Sequence, residues 1–168
     1  RTIKEAWNTQ KIVREIMVFL HAHGVSTSRA VRIYKTYGED AIDKVRANPY
    51  LLSRDIHGIG FKTADQIARR LGIALDSLIR AAAGLRHLLL QAGGEGHCAL
   101  PEPQLLEQAG KLLAIESPLI AAALDQELAR GDMIREVIDG DTLIFQPFLQ
   151  RAEIDIAARV LRLTRVRP

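Results

Sequence analysis

The sequence is poor in cysteine, in aromatic residues and in long apolar runs. Of its 168 residues, one is cysteine and 5% are aromatic. The single thiol, Cys98, excludes an intrachain disulfide and is typical of a protein in a reducing cytoplasm. The apolar runs are short and interrupted, so none is long enough to span a bilayer, and the first residues show no secretory-signal pattern. We therefore expect a cytoplasmic protein without a membrane partner.

The residue patterns of a catalytic site are missing as well. We find no paired carboxylates, no metal-ligand spacing and no arrangement of nucleophile and base, since Cys98 beside His97 is more simply a structural thiol. A Walker-A loop needs Gly, four residues, Gly, Lys and then Ser or Thr. Lys62-Thr63 is present, but Ile56 and Phe61 occupy the two glycine positions. The sequence therefore predicts no catalytic residue, metal site or cofactor within this chain.

Charge is divided unevenly along the chain. Residues 1–72 contain 13 Lys and Arg against 7 Asp and Glu, whereas residues 73–168 contain 10 against 13. The first part is the better candidate for binding a polyanion, although a solvated basic helix surface would show the same excess.

An internal repeat lies within the basic part. His23-Gly24-Val25-Ser26 aligns with His57-Gly58-Ile59-Gly60 at an offset of 34 residues. The alignment continues at equal spacing through Ala30 and Ala64, Ile33 and Ile67, and Gly38 and Gly72. Apolar residues recur at helical spacing on both sides of each turn, so each copy is predicted to be a helix, a tight turn and a second helix. A linking helix is expected over 39–47, and a short amphipathic one over 51–55.

The second copy fits the helix-hairpin-helix pattern, in which Gly-aliphatic-Gly precedes a helix with Ala at its fourth later position. Glycines allow the turn and the close approach of a phosphate, and the N–H groups at the next helix start favour an anion. Ile59 is expected to plug the hairpin into the core, and Lys62 to add a positive charge near the phosphate. Such a contact grips a nucleic-acid backbone without reading its bases.

The first copy departs from this pattern at Ser26, which replaces the second Gly. Ser26 either tolerates the turn and offers its hydroxyl, or weakens this hairpin. Thr27 is a further donor to phosphate or, more commonly for its type, a helix cap. Two helical hairpins used only for packing or protein contacts remain an alternative for the pair. The candidate backbone-binding residues are Gly58, Gly60, Lys62, Thr63, Gly24, Ser26 and Thr27.

The acidic part has the elements of a winged helix. Three helices are predicted from Asp76, Glu102 and Ser117, and strands over 133–138 and 142–145 flank the turn Asp139-Gly140-Asp141. The predicted fold is mainly α. It comprises a tandem helix-hairpin-helix domain over 1–73, a winged-helix-like domain over 74–147 with a β-hairpin near 133–146, and a helix over 148–168.

Seven short segments carry a family resemblance over nearly the whole chain: Arg14–Leu20, His23–Val25, Val31–Gly38, Asn48–Tyr50, Gly58–Asp65, Gly96-His97 with Leu100-Pro101, and Arg151–Glu153. In this order they resemble the region ahead of the motor in ATP-dependent RecD-like DNA helicases of the RecD/TraA type. The second hairpin is the most specific part.

The resemblance implies a bacterial helicase that moves 5′ to 3′ on single-stranded DNA with ATP and Mg²⁺, in DNA repair or recombination. Its Walker motifs are expected beyond Pro168, so this chain alone is expected to be no enzyme. The implied partner is single-stranded or forked DNA, contacted without sequence preference. An alternative is that this region docks a protein partner or the helicase's own motor.

Overall fold

The computed structural model describes residues 3–165, and the chain divides into two compact units, Arg1–Ser77 and Leu78–Pro168. The sequence predicted a boundary between 73 and 74 and a separate final segment over 148–168. In the structure the final segment clusters with the second unit, and its last three residues lie outside the described part.

The first unit consists of helices of different lengths. They are α1 (Ile3–Ala22), α2 (Thr27–Tyr37), α3 (Ala41–Ala47), α4 (Leu51–Asp55) and α5 (Phe61–Arg70), with a 3₁₀ turn at Gly38–Asp40 before α3. The repeat is present in the structure, because α2 and α5 begin 34 residues apart.

Each copy of the repeat buries its predicted apolar face. Ala30 and Ile33 of α2 are fully buried. In α5, Ala64 is fully buried and Ile67 is 2% exposed. Small alanines at these positions let the paired helices approach closely. The N-terminal half of α1 behaves differently, since its Trp7 is 73% exposed.

The second unit has the element order of a winged helix. Its elements are α6 (Leu78–Gly94), β1 (Ala99–Pro101), α7 (Glu102–Leu113), α8 (Ser117–Arg130), β2 (Ile134–Ile138), β3 (Asp141–Phe145) and α9 (Pro147–Arg165). The predicted helices and β-hairpin are therefore confirmed. Strand β1 was not expected from the sequence, and it completes an antiparallel sheet of order β1-β3-β2.

Local chemistry explains the β2–β3 turn. Asp139 and Gly140 both have positive φ, 53° and 92°. A two-residue hairpin loop with two positive φ angles matches the right-handed twist of its strands, and Asp-Gly is a favoured sequence for it. The register that results pairs Ile138 with Asp141 and Ile134 with Phe145.

The core of the second unit lies between α6, α7, α8 and the sheet. Leu85, Leu105, Leu124 and Ile144 are all fully buried there. Gly84 allows α6 to approach α7 closely, because a β carbon at Gly84 would lie 2.6 Å from Leu113 Cδ1. In the described part of the chain, no helix combines the length and the apolar character needed to cross a membrane.

Candidate nucleic-acid interface

The two hairpins of the first unit share one backbone conformation at their first glycine. Gly24 has a φ of 81° and Gly58 a φ of 87°. This left-handed region favours glycine, because a β carbon clashes with the backbone there. The aliphatic residues that follow, Val25 and Ile59, are each 3% exposed. Each hairpin is therefore anchored in the core by its central side chain, as predicted for Ile59.

The second glycine position has no such conformational requirement. Ser26 has φ −68° and ψ 158°, and Gly60 has φ −87° and ψ 177°. Both are extended, a conformation open to any residue. The replacement of Gly by Ser in the first hairpin therefore carries no backbone strain, and the two turns are structurally equivalent.

Both hairpins lead directly into a helix start that lacks a side-chain cap. Ala30 N donates to Ser26 O at 2.8 Å, and Ala64 N donates to Gly60 O at 3.1 Å. These are the first bonds of the two helices, so the N–H groups before Ala30 and Ala64 have no intrahelical acceptor. Neither Ser26 nor Gly60 caps its helix through a side chain. Together with the helix dipole, such N–H groups form a site suited to an anion.

The candidate side chains surround these helix starts. Gly58, Gly60 and Lys62 of the second hairpin are exposed, and Thr63 is half-buried. In the first hairpin, Gly24, Ser26 and Thr27 are exposed. The Ser26 hydroxyl lies 3.4 Å from that of Ser28, leaving it accessible to a further acceptor or donor. The structure thus brings together the candidates of each hairpin on accessible surface.

Buried polar contacts hold the second hairpin in place. Tyr50 donates its hydroxyl to Asp65 at 2.7 Å, and its ring stacks on Phe61 with a centroid distance of 6.0 Å. Asp65 also accepts from Arg69 at 3.2 Å. These contacts fix the first turn of α5, from which Lys62 projects.

A second polar link joins the two copies of the repeat. Tyr37, at the end of α2, donates its hydroxyl to Asp55 at 2.8 Å, just before the second hairpin. Hydrogen bonds from the Arg54 guanidinium hold the pKa of Asp55 below its ordinary value, and the bond from Tyr37 acts in the same direction. Burial, together with the Asp55 acceptor, raises the pKa of Tyr37. Asp55 is therefore a charged acceptor at neutral pH that secures the approach to the hairpin.

The first hairpin is secured by histidines. His23 Nδ1 lies 2.8 Å from Phe19 O, and His21 Nδ1 lies 2.9 Å from Val25 O. The His23 ring also packs on Phe19, with a centroid distance of 4.5 Å. These contacts give His23 a packing role against the turn.

Two arginines that the sequence did not place at the site lie against the hairpins. Arg32 of α2 donates from Nη1 to His57 O at 2.9 Å, and the same nitrogen lies 2.9 Å from where a β carbon of Gly58 would be. Arg70 of α5 lies against the first hairpin, with Nη1 2.0 Å from the corresponding position at Gly24. No spacing rule would have identified them, because each belongs to one copy of the repeat and touches the turn of the other.

The winged-helix unit presents a less suitable surface to a polyanion. The exposed positions of α8 include Asp125, and the tip of the β-hairpin carries Asp139 and Asp141. Arg135 is paired with Glu102 at 2.7 Å and with Asp125 at 3.4 Å. The charge of Arg135 is thus already compensated by carboxylates.

The Lys62-Thr63 pair does not form part of a nucleotide loop. It lies in the first turn of α5, and the element that leads into the hairpin is the helix α4. A Walker-A loop follows a buried strand and wraps the phosphates with glycine N–H groups. This segment therefore does not have the strand-loop-helix arrangement of a Walker-A loop.

Comparison with known proteins agrees with this geometry. The family described as the ATP-dependent RecD2 DNA helicase HHH domain matches residues 9–99. The ATP-dependent RecD2 DNA helicase of Deinococcus radiodurans is 27% identical over 173 aligned residues, which cover 97% of this chain. The chain spans only 24% of that relative's length. Since the family match covers more than half of the 168 residues and includes both hairpins, the chain belongs to the RecD2 helicase helix-hairpin-helix family.

Proposed function

We propose that this chain is the accessory DNA-binding region of an ATP-dependent 5′–3′ RecD-like helicase. Its role is to hold the sugar-phosphate backbone of single-stranded or forked DNA without reading the sequence. The observation that carries the proposal is the pair of equivalent hairpins, each leading into an uncapped helix start. Family membership supports it, because the matched family is a domain of DNA helicases.

Within this proposal, the second hairpin makes the stronger contact. The N–H groups of the first turn of α5 meet one phosphate, and the Lys62 ammonium lies beside it. Gly58 and Gly60 keep the surface low enough for a phosphate to approach the backbone. Gly24, Ser26 and Thr27 provide the matching contact in the first hairpin. ATP and Mg²⁺ are used by motor domains of the whole protein, outside this chain.

A binding experiment tests the proposal directly. Affinity of the 168-residue chain for single-stranded, duplex and forked DNA is measured at several salt concentrations. Binding should be independent of sequence and should weaken as salt rises, because neutralised phosphates release counterions. Lys62→Ala combined with Gly60→Asp should reduce affinity, while Lys35→Ala, which removes the same charge as Lys62→Ala from an exposed site on α2, should have little effect. Failure of the unaltered chain to bind any of these DNAs at low salt would refute the proposal.

A docking role for the second unit is the other candidate, and α9 favours it. Phe148, Ile154 and Leu161 are 62%, 55% and 56% exposed on this helix. An amphipathic helix with an open apolar face is a common element of protein interfaces. If docking is the main role, Ile154→Asp would weaken association with separately expressed motor domains, and the hairpin variants would leave DNA binding unchanged.

A further inference from the structure

Each hairpin is contacted by the guanidinium group of an arginine from the other copy of the repeat. Arg32 reaches from the first copy of the repeat to Gly58 in the second, and Arg70 reaches from the second copy to Gly24 in the first. In each case the guanidinium covers the glycine with positive φ, which is the residue that opens the turn. The absence of a β carbon at Gly24 and Gly58 provides the space for this approach.

Packing does not account for the two guanidinium groups. Both side chains are exposed. Arg32 uses one of its five guanidinium N–H donors on His57 O, and within residues 3–165 the Arg70 guanidinium makes no hydrogen bond to the protein. Holding a long side chain in one place costs conformational entropy, so a compensating partner is expected.

The charge at the hairpins is also uncompensated. Several other arginines of the chain are paired with carboxylates, including Arg54, Arg69 and Arg86. Among the described residues, neither Arg32 nor Arg70 has a carboxylate partner. Both lie beside turns whose following helix starts already carry partial positive charge. An anion would compensate this positive charge. Phosphate is a suitable anion, because guanidinium groups bind phosphate oxygens in a bidentate manner.

The contact from Arg70 also adds a positive charge to the first hairpin. The position equivalent to Lys62 in that copy is Ser28, which has no charge. Arg70 brings a guanidinium to the turn from outside the copy. A local comparison of the two motifs underestimates the first hairpin for this reason.

We propose that each hairpin and the arginine of the other copy form one composite phosphate site, Arg32 with Gly58 and Gly60, and Arg70 with Gly24 and Ser26. The ligands are two backbone phosphates of bound DNA. The inference rests on the proposed function and extends it, because it assigns two further binding residues and gives the first hairpin a cationic group.

The test compares the salt dependence of DNA binding among charge-matched variants of the full chain. Arg32→Gln and Arg70→Gln should each weaken binding several-fold and reduce the slope of log K against log salt by about 0.9 on duplex DNA, or about 0.7 on a single strand. In the variant that carries both Arg32→Gln and Arg70→Gln, the slope should fall by about twice as much as in either single variant. Lys35→Gln, which removes the same charge from an exposed site on α2, should leave the slope unchanged. Arg32→Lys keeps the positive charge and should therefore retain most of the slope of the unaltered chain.

The outcomes separate this inference from the proposed function. If the unaltered chain binds no DNA, the proposed function fails. If it binds, and Lys62→Ala weakens binding while both Gln variants keep the unaltered slope, only the composite sites are refuted. A lower melting temperature with an unchanged slope would likewise assign the arginines to fold stability and overturn the inference. Arg70→Gln keeps the test decisive if Arg32→Gln does not fold, because the Arg70 side chain donates no hydrogen bond to the described protein.

Discussion

Comparing Gly60→Asp with Gly60→Asn separates the effect of a negative charge at the second hairpin from any effect of the substitution on folding. Gly60 has φ −87° and ψ 177°, and a β carbon there would meet no heavy atom within 4 Å. Both side chains therefore fit without strain, and both are favoured at the N-cap position. We expect each variant to melt at or slightly above the unaltered temperature, since Asp and Asn exceed Gly as caps by only a few tenths of a kcal/mol.

The two variants differ in the charge that they add beside the proposed phosphate. At a separation of about 5 Å, two like unit charges repel by about 0.8 kcal/mol in bulk water and by about 3.3 kcal/mol at an effective dielectric constant of 20. Gly60 is exposed, so the value near the aqueous limit applies. We therefore expect Asp to bind DNA about four- to tenfold more weakly than Asn.

Fluorescence anisotropy with labelled forked DNA measures this ratio, and circular dichroism gives the melting temperatures. The ratio of the two affinities should shrink as salt rises, because ions screen exposed charges. Equal affinities of the Asp and Asn variants, in a chain that binds DNA, would show that no phosphate lies at this hairpin. Unfolding of both would instead refute the claim that the position is free of backbone strain.

Three further changes test the structural basis of the site and the second unit. Gly58→Ala should destabilise the chain by about 1–2 kcal/mol in denaturant unfolding, because its φ of 87° disfavours a β carbon, whereas Gly60→Ala should be close to neutral. Asp55→Asn should cost about 1 kcal/mol at neutral pH, and the loss should fade as pH drops below about 4. The folded pKa of Asp55 is depressed, so its stabilisation is present above the unfolded pKa and lost as pH falls through the folded one. Gly84→Ala should destabilise by about 1–3 kcal/mol through overpacking on Leu113, despite its better helix propensity, and Leu113→Val should relieve part of that cost.

The helices and the repeat were accessible from the sequence because both depend on local spacing. Apolar residues at helical period predicted α2 and α5, and their offset of 34 residues predicted two equivalent turns. The Asp139-Gly140 turn was predicted from a dipeptide with a known backbone preference. Of the two alternatives for Ser26, the backbone agrees with the one in which Ser tolerates the turn, since φ at that position is negative in both copies.

Features that depend on distant contacts were not accessible in this way. Strand β1 has three residues and no alternating pattern, and only its pairing with β3 makes it a strand. Glu127 lies on the buried face of α8 with Ile120 and Leu124 and is 1% exposed, but its ion pair with Arg86 at 2.5 Å joins residues 41 positions apart, which local spacing does not predict. The approach of Arg32 and Arg70 to the hairpins follows from how the two copies pack, which periodicity within either copy does not encode.

The distribution of paired and unpaired charge bears on which unit would hold DNA under the proposed function. A winged helix frequently binds DNA, yet the arginines beside α8 are engaged by acids, as Arg135 is by Glu102 and Arg86 is by Glu127. A cation that already has a carboxylate partner releases fewer counterions on binding, because its field is largely cancelled before DNA arrives. In the hairpin unit Arg54 and Arg69 are paired with carboxylates, whereas Lys62, Arg32 and Arg70 have no carboxylate partner among the described residues and lie close to the hairpins. If DNA is bound by one of the two units alone, these charges favour the hairpins, and the winged helix is left to serve as the surface that other protein segments recognise.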